Sequence, residues 1–219
     1  MEAAHLQKEL SALVIRRDDF DSIRTLAGVD LSLHPNGEEA FAGVIVYEYP
    51  SLKELTRVWA QAPLPFPYIP GLLSFREGPV LQKAFVKLKS LPDLIVFDGQ
   101  GIAHPRRLGI ASHMGLLLDR PSIGCGKSLL CGKYGELKFE RGSTADLVHD
   151  GEKVGVALRT RDGVNPVFVS LGHRISLETS VEIILQCHSG YRIPLPTREA
   201  DRFVAEVKKA ALAAPISPA

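Results

Sequence analysis

An apolar run, Leu94-Ile95-Val96-Phe97, stops at a carboxylate, Asp98, and Gly99, Gly101, His104, Arg106 and Arg107 follow within ten residues. An unbroken apolar run predicts a strand buried on both faces of a partly parallel sheet. Open α/β sheets bind ligands at the C-terminal ends of such strands. Glycines there leave backbone N–H groups unobstructed, so a flat or anionic ligand can approach closely. A carboxylate among basic groups points to a divalent cation working on a phosphate. A second carboxylate, Asp30, lies in a predicted strand over Thr25–Ser32. Two carboxylates brought together repel unless a cation neutralises them, and hard oxygen ligands of this kind suit Mg²⁺ or Mn²⁺. Taken singly, either aspartate would serve as well in an ion pair or a turn.

The elements that must position these groups follow from periodicity. A helix is predicted over Ala4–Ile15. Strands are predicted over Thr25–Ser32, Phe41–Tyr49 and Glu54–Ala62, joined by short polar turns into an antiparallel meander. The segment from Pro63 to Gly71 holds too many prolines for helix or inner strand. Glu77 is expected to open a helix with Leu81, Ala84, Phe85 and Leu88 on one face. Then come the Asp93–Asp98 strand, a helix near Ile110–Leu117, a short strand at Pro121–Gly124, a hairpin of Val154–Leu158 and Val167–Leu171, and helices near Ser176–His188 and Thr197–Ala213. Three antiparallel strands followed by helix–strand–helix–strand is the order of the ribonuclease H-like fold: an α/β architecture with a mixed central sheet flanked by helices. Its first and fourth strands are parallel neighbours, which would bring Asp30 and Asp98 to one place. With no repeat or linker in view, residues 1–219 are expected to form one domain, with 214–219 a frayed tail.

Composition narrows the class. Hydrophobic residues make up 45% and charged residues 23% of the 219, as in ordinary globular proteins. No apolar run approaches the roughly 20 residues of a membrane span. The start Met1-Glu2-Ala3-Ala4-His5 does not read as a secretory signal, and Cys125, Cys131 and Cys187 fit no zinc spacing. Reduced thiols and a cytoplasmic location are therefore expected. The net charge is only +1, but between Gly99 and Gly142 seven basic residues (Arg106, Arg107, Arg120, Lys127, Lys133, Lys138, Arg141) face three acids. Such an excess suits a phosphate backbone, or simply a solvated surface. Gly124-Cys125-Gly126-Lys127-Ser128 imitates the end of a phosphate-binding P-loop, but Pro121 stands where that pattern needs glycine.

Six motifs, in order, give the chain a resemblance: Ala27-Gly28-Val29-Asp30, Pro67-Tyr68-Ile69-Pro70-Gly71, Phe75-Arg76-Glu77, the run from Phe97 to Arg106, Gly109-Ile110-Ala111-Ser112-His113, and Gly190-Tyr191-Arg192-Ile193-Pro194. Together they resemble the endonuclease V family, the deoxyinosine 3′ endonucleases of DNA repair. The resemblance implies a Mg²⁺-dependent nick at the second phosphodiester bond 3′ to a deaminated adenine. It implies an acidic set of Asp30, Glu77, Asp98 and Asp201, the first three as metal ligands. Asp201 lies in a segment where members vary between aspartate and histidine. Gln100 departs from the histidine that many relatives carry between the two glycines. Lys127 would place an ammonium near the scissile phosphate, and His104 would orient a water or contact a phosphate.

Pro67, Tyr68, Ile69 and Pro70 resemble the family's strand-separating wedge. Prolines stiffen such a loop, and an apolar tip entering the duplex helps the damaged base leave the stack. The alternative is a rigid surface turn with its tyrosine packed down. Backbone N–H groups near Gly71, Leu73, Gly99 and Gly101 are expected to read the 6-oxo group and N7 of hypoxanthine. The resemblance adds Ile110 and Leu130 as apolar lining. The expected partner is deoxyinosine-containing DNA, single- or double-stranded, engaged by a monomer. An endoribonuclease acting on inosine in RNA and a non-catalytic nucleic-acid-binding module on the same fold are the other readings.

Overall fold

The computed structural model describes residues 2–213. Helix α1 (Glu2–Ser11) precedes strands β1 (Thr25–Leu33), β2 (Glu39–Glu48) and β3 (Glu54–Pro63). Helix α2 (Leu73–Phe85), β4 (Leu94–Phe97), α3 (Ile110–Leu118) and β5 (Ser122–Gly126) follow. Strands β6 (Thr144–His149), β7 (Glu152–Leu158) and β8 (Val167–His173) lead to helices α4 (Leu177–Gln186) and α5 (Leu195–Ala213). All eight strands join one sheet in the order β3-β2-β1-β4-β5-β8-β7-β6. β1 is antiparallel to β2 and parallel to β4, and β4 is parallel to β5. The expected meander and the parallel β1–β4 neighbours of the ribonuclease H-like order are both present.

Alternation along β4 shows why the centre of the sheet is so apolar. Leu94 and Val96 enter one core layer with Ile184 and Phe203 of α4 and α5. Ile95 and Phe97 enter the other with Val80 and Leu81 of α2 and Met114 of α3. A strand covered on both faces has no polar side to show.

Two expectations need correction. β6 went unrecognised because it is an edge strand with one buried residue, Leu147, and an otherwise polar sequence. The expected β7–β8 hairpin is present, and it extends the main sheet through antiparallel β5–β8 pairing. Helix α2 begins at Leu73 rather than Glu77, so Glu77 lies in its second turn and is not a first-turn acid facing the helix dipole. Pro79 sits inside the helix, deeper than the first turn where proline is normally tolerated. The early turn is held by tertiary contacts instead: the Phe75 ring packs against Phe66 and His113. The predicted tail at 214–219 lies outside the described residues.

Candidate active site

The last register pair between β1 and β4 is Val29 with Phe97. Asp30 and Asp98 come next on each strand, side by side where the parallel pair ends. Glu77 reaches the same place from α2, and the three carboxylates share a narrow crevice walled by Val29, Leu81, Phe97 and Ile110. These apolar walls dominate the electrostatics. Burial, with the Asp98 charge adding to it, raises Asp30 from 3.8 to about 7. Burial, then the Asp30 charge, raises Glu77 from 4.5 to about 7. Burial also raises Asp98, although Lys127 works against it. One Asp30 oxygen accepts the Leu31 N–H at 2.8 Å.

Lys127 follows the end of β5 and places Nζ 2.5 Å from Asp98 Oδ2 and 3.5 Å from Asp201 Oδ2. Burial alone would lower its pKa, but the Asp98 bond and the neighbouring carboxylates more than offset that and raise it. Asp201, on α5, is exposed and meets the cluster through this lysine at the rim. Hard carboxylate oxygens, short of positive charge and half stripped of water, match what Mg²⁺ or Mn²⁺ takes as ligands. Among the described residues no three His, Cys, Asp or Glu side chains are already gathered tightly enough to hold an ion. A cation would therefore draw the crevice together and compete with Lys127 for Asp98.

A cavity of about 420 Å³ opens beside the crevice, shares Asp98 and Ile110 with it as wall residues, and has Lys127 in its own wall. Gly71, Leu73, Gly99, Ile110 and Leu130 line it as expected, and Tyr68 and Ile69 overhang it. Tyr68 is 69% exposed, so it does not pack down. Its loop is braced from below by Arg76, which donates to the carbonyls of Phe66 and Gly37 at 2.6 and 2.8 Å. Helix α2 starts in this cavity without a side-chain cap. Phe75 N–H donates to Leu72 O at 3.1 Å, while the N–H groups of Leu73 and Ser74, two residues that line the cavity, have no partner within the helix.

Gly101 does not line the cavity. Its N–H is donated to Ser170 Oγ at 2.8 Å, and a Cβ there would stand 1.9 Å from the Leu171 carbonyl oxygen. It is a close-packing glycine, spent on the fit between the loop and β8. His104 does line the cavity but is only 3% exposed. Burial and the adjacent Arg106 guanidinium lower it to about 4, so it is neutral at physiological pH. Its Nδ1 accepts the Arg106 N–H at 3.1 Å. That places it as a brace of the loop, on the cavity side of the site.

The basic excess between residues 99 and 142 is also partly spent inside the fold. Arg106 donates to Gly71 O at 2.7 Å, and Arg107 pairs with Glu152 at 2.6 Å and donates to His149 O. Arg141 donates to Leu185 O. Other residues were missed. Gln7, Ser74, Gln100 and Ser128 all line the cavity. Gln100 donates to Ser128 O at 3.0 Å. No signal in the sequence marks Gln7, a single amide in a polar helix.

A profile of the endonuclease V family matches residues 8–202. The endonuclease V of Dictyoglomus thermophilum is 54% identical over 200 residues, covering 91% of this chain and 86% of the relative. The crystal structure of endonuclease V from Streptomyces avermitilis superposes with a TM-score of 0.92 at 39% identity, covering 97% of this chain and 94% of that one. The endonuclease V of Ciona intestinalis, solved in complex with a 24mer DNA containing an inosine followed by a ribo-adenosine, superposes with a TM-score of 0.84 at 30% identity, covering 96% and 98%. Matched by the family profile over residues 8–202 and superposing on these relatives along nearly its whole length, the chain belongs to the endonuclease V family of nucleases.

Proposed function

We propose that this protein nicks DNA at deoxyinosine, hydrolysing the second phosphodiester bond 3′ to the lesion and leaving a 3′-OH and a 5′-phosphate. The observation that carries the reading is the shared wall: the cavity and the carboxylate crevice meet at Asp98 and Ile110, and Lys127, on the cavity side, is bonded to Asp98. A base held in the cavity thus leaves its own 3′ strand passing the crevice. Tyr68, with Pro67, Ile69 and Pro70, fills the gap left by the extruded base. At the α2 N-terminus, N–H donors suit the 6-oxo group of hypoxanthine and oppose the 6-amine of adenine, which would set donor against donor.

Asp30, Asp98 and Glu77 would hold Mg²⁺, with Mn²⁺ able to substitute. The bound cation supplies charge neutralisation at the attacking and leaving oxygens. Lys127 adds a fixed positive charge toward the phosphate, where a preorganised charge is most effective. Asp201 holds that ammonium from the other side, and His104 keeps the cavity floor rigid. In this reading the protein acts as a one-domain monomer in the cytoplasm. All three cysteines are free, as a reducing compartment requires.

The test is single-turnover cleavage of matched oligonucleotides carrying inosine or adenine, with and without Mg²⁺, with the cut mapped to the nucleotide. Asp98→Ala should abolish cutting and leave binding intact. Near-normal cutting by that variant would refute the ligand assignment. A second reading, action on inosine in RNA, is favoured by the ribo-adenosine that follows inosine in the ligand of the Ciona relative. Inosine-containing DNA and RNA of one sequence, compared side by side, decide between them.

A further inference from the structure

Helix α1 is polar and mostly exposed, yet one of its residues, Gln7, is only 1% exposed. Its Nε2 donates to Gly71 O at 3.0 Å and to Leu108 O at 2.7 Å. Its Oε1 accepts from Arg106 Nε, and Arg106 Nη2 also donates to Gly71 O. One carboxamide therefore joins three segments that are far apart in sequence, and it lines the cavity itself. Gly71 is the hinge between the Tyr68 loop and α2. It sits at φ +78°, and a Cβ there would stand 2.7 Å from Arg106 Nη2. With Gln7 and Arg106 both donating to its carbonyl oxygen, that oxygen is occupied and is not free to accept from a base. The peptide plane that follows is fixed just before the exposed N–H groups of α2.

We infer that Gln7 is a positioning residue for base recognition: it holds the Gly71 hinge so that the first turn of α2 presents donors, and no carbonyl, to the base. The inference rests on the functional reading above and extends it to a helix that supplies none of the carboxylates. The hinge also carries the Tyr68 loop, so a loosened clasp blurs both the base contact and the wedge. The penalty falls on binding and base discrimination rather than on the chemistry at Asp30 and Asp98. A residue serving stability alone would lower the melting temperature without that pattern.

The test is Gln7→Met, which keeps the side-chain volume and removes all three bonds, alongside Gln7→Glu, which keeps the Arg106 partner and loses the two donations. Hydrogen exchange of the Leu72 amide, which donates to Ile69 O at 2.9 Å, should accelerate in the free Gln7→Met protein, and less in Gln7→Glu. Affinity for an inosine oligonucleotide should fall about tenfold, the equivalent of one net hydrogen bond. The preference for inosine over adenine should shrink, while the single-turnover rate at saturating enzyme stays within about threefold, as expected of a change in binding alone. Unchanged affinity and base preference in a folded Gln7→Met protein overturn the inference even if the wild type nicks inosine normally. If the wild type does not act on inosine at all, the functional reading fails instead. Exchange of the Leu72 amide in the free protein then still tests the clasp, and unchanged protection there overturns it.

Discussion

Asp30→Asn should make the metal-free protein more stable at pH 8 and leave it almost unchanged near pH 5. In the fold, burial and the Asp98 charge raise Asp30 from 3.8 to about 7. A carboxyl whose folded pKa lies above its unfolded value keeps its proton through that window, while the unfolded chain has already released it. Stability therefore falls as pH rises from about 4 to 7. A gap of roughly three units at about 1.4 kcal/mol each makes the full cost about 4 kcal/mol above pH 7. Asparagine has the same shape and keeps the acceptor for the Leu31 N–H, but its buried amide still costs about 1–3 kcal/mol. The net gain at pH 8 is then about 2 kcal/mol, or about 4–8 °C in melting temperature for a chain of this size. At pH 5 both side chains are neutral in the fold and the gain disappears.

The assay is calorimetric melting in EDTA at several pH values between 5 and 8, repeated with Mg²⁺. Wild type should gain stability from Mg²⁺ at pH 8 and much less at pH 5, where protons hold Asp30 and Glu77. Asp30→Asn should gain little at either. A variant that melts no higher than wild type at pH 8, or that differs from it equally at both pH values, would show that Asp30 carries no such buried charge. The crevice would then not be waiting for a cation.

Lys127→Ala should slow single-turnover cleavage by about 10²-fold or more while reducing the salt slope of binding by only about one unit; an unchanged rate with weaker binding would make Lys127 a docking group. Tyr68→Ala should weaken action on inosine in duplex DNA by the equivalent of about 1–3 kcal/mol of stacking and leave a single strand nearly unaffected, and equal losses on both substrates would refute the wedge. Gly101→Ala should cost about 3 kcal/mol, because a Cβ 1.9 Å from Leu171 O forces the loop off β8; a variant melting within 2 °C of wild type would show that the backbone there yields freely.

What could be read from the sequence is what residue type and strand position alone determine. β1, β2 and β4 are apolar because both faces are covered, and Asp30 and Asp98 stand out because each follows an apolar stretch that must be interior. Register then does the rest: two parallel neighbours whose pairing ends at Val29 and Phe97 cannot avoid bringing their next residues together. β6 was hidden because an edge strand is free to be polar. The start of α2 was hidden because Phe75 and its aromatic neighbours, not local propensity, hold the first turn.

Direction is the other thing that type does not carry. Arg106 and Arg107 resemble phosphate ligands in a one-dimensional charge count, yet both turn inward to satisfy carbonyl oxygens and Glu152. Gly101 resembles a ligand-facing glycine, yet β8 takes its N–H. Gln7 carries no signal because its partners lie 64 and 101 residues away. A polar side chain that satisfies distant backbone acquires its role only when those segments meet. The carboxylates differ because burial is costly for them: it raises all three, and of the three Asp98 alone has a salt-bridge partner among the described residues, Lys127. Asp30, Glu77 and Asp98 cost the fold stability in the absence of a cation, whereas Gln7, Arg106 and Gly101 repay their burial with hydrogen bonds. On the proposed function, that asymmetry separates the groups that act from the groups that hold them in place.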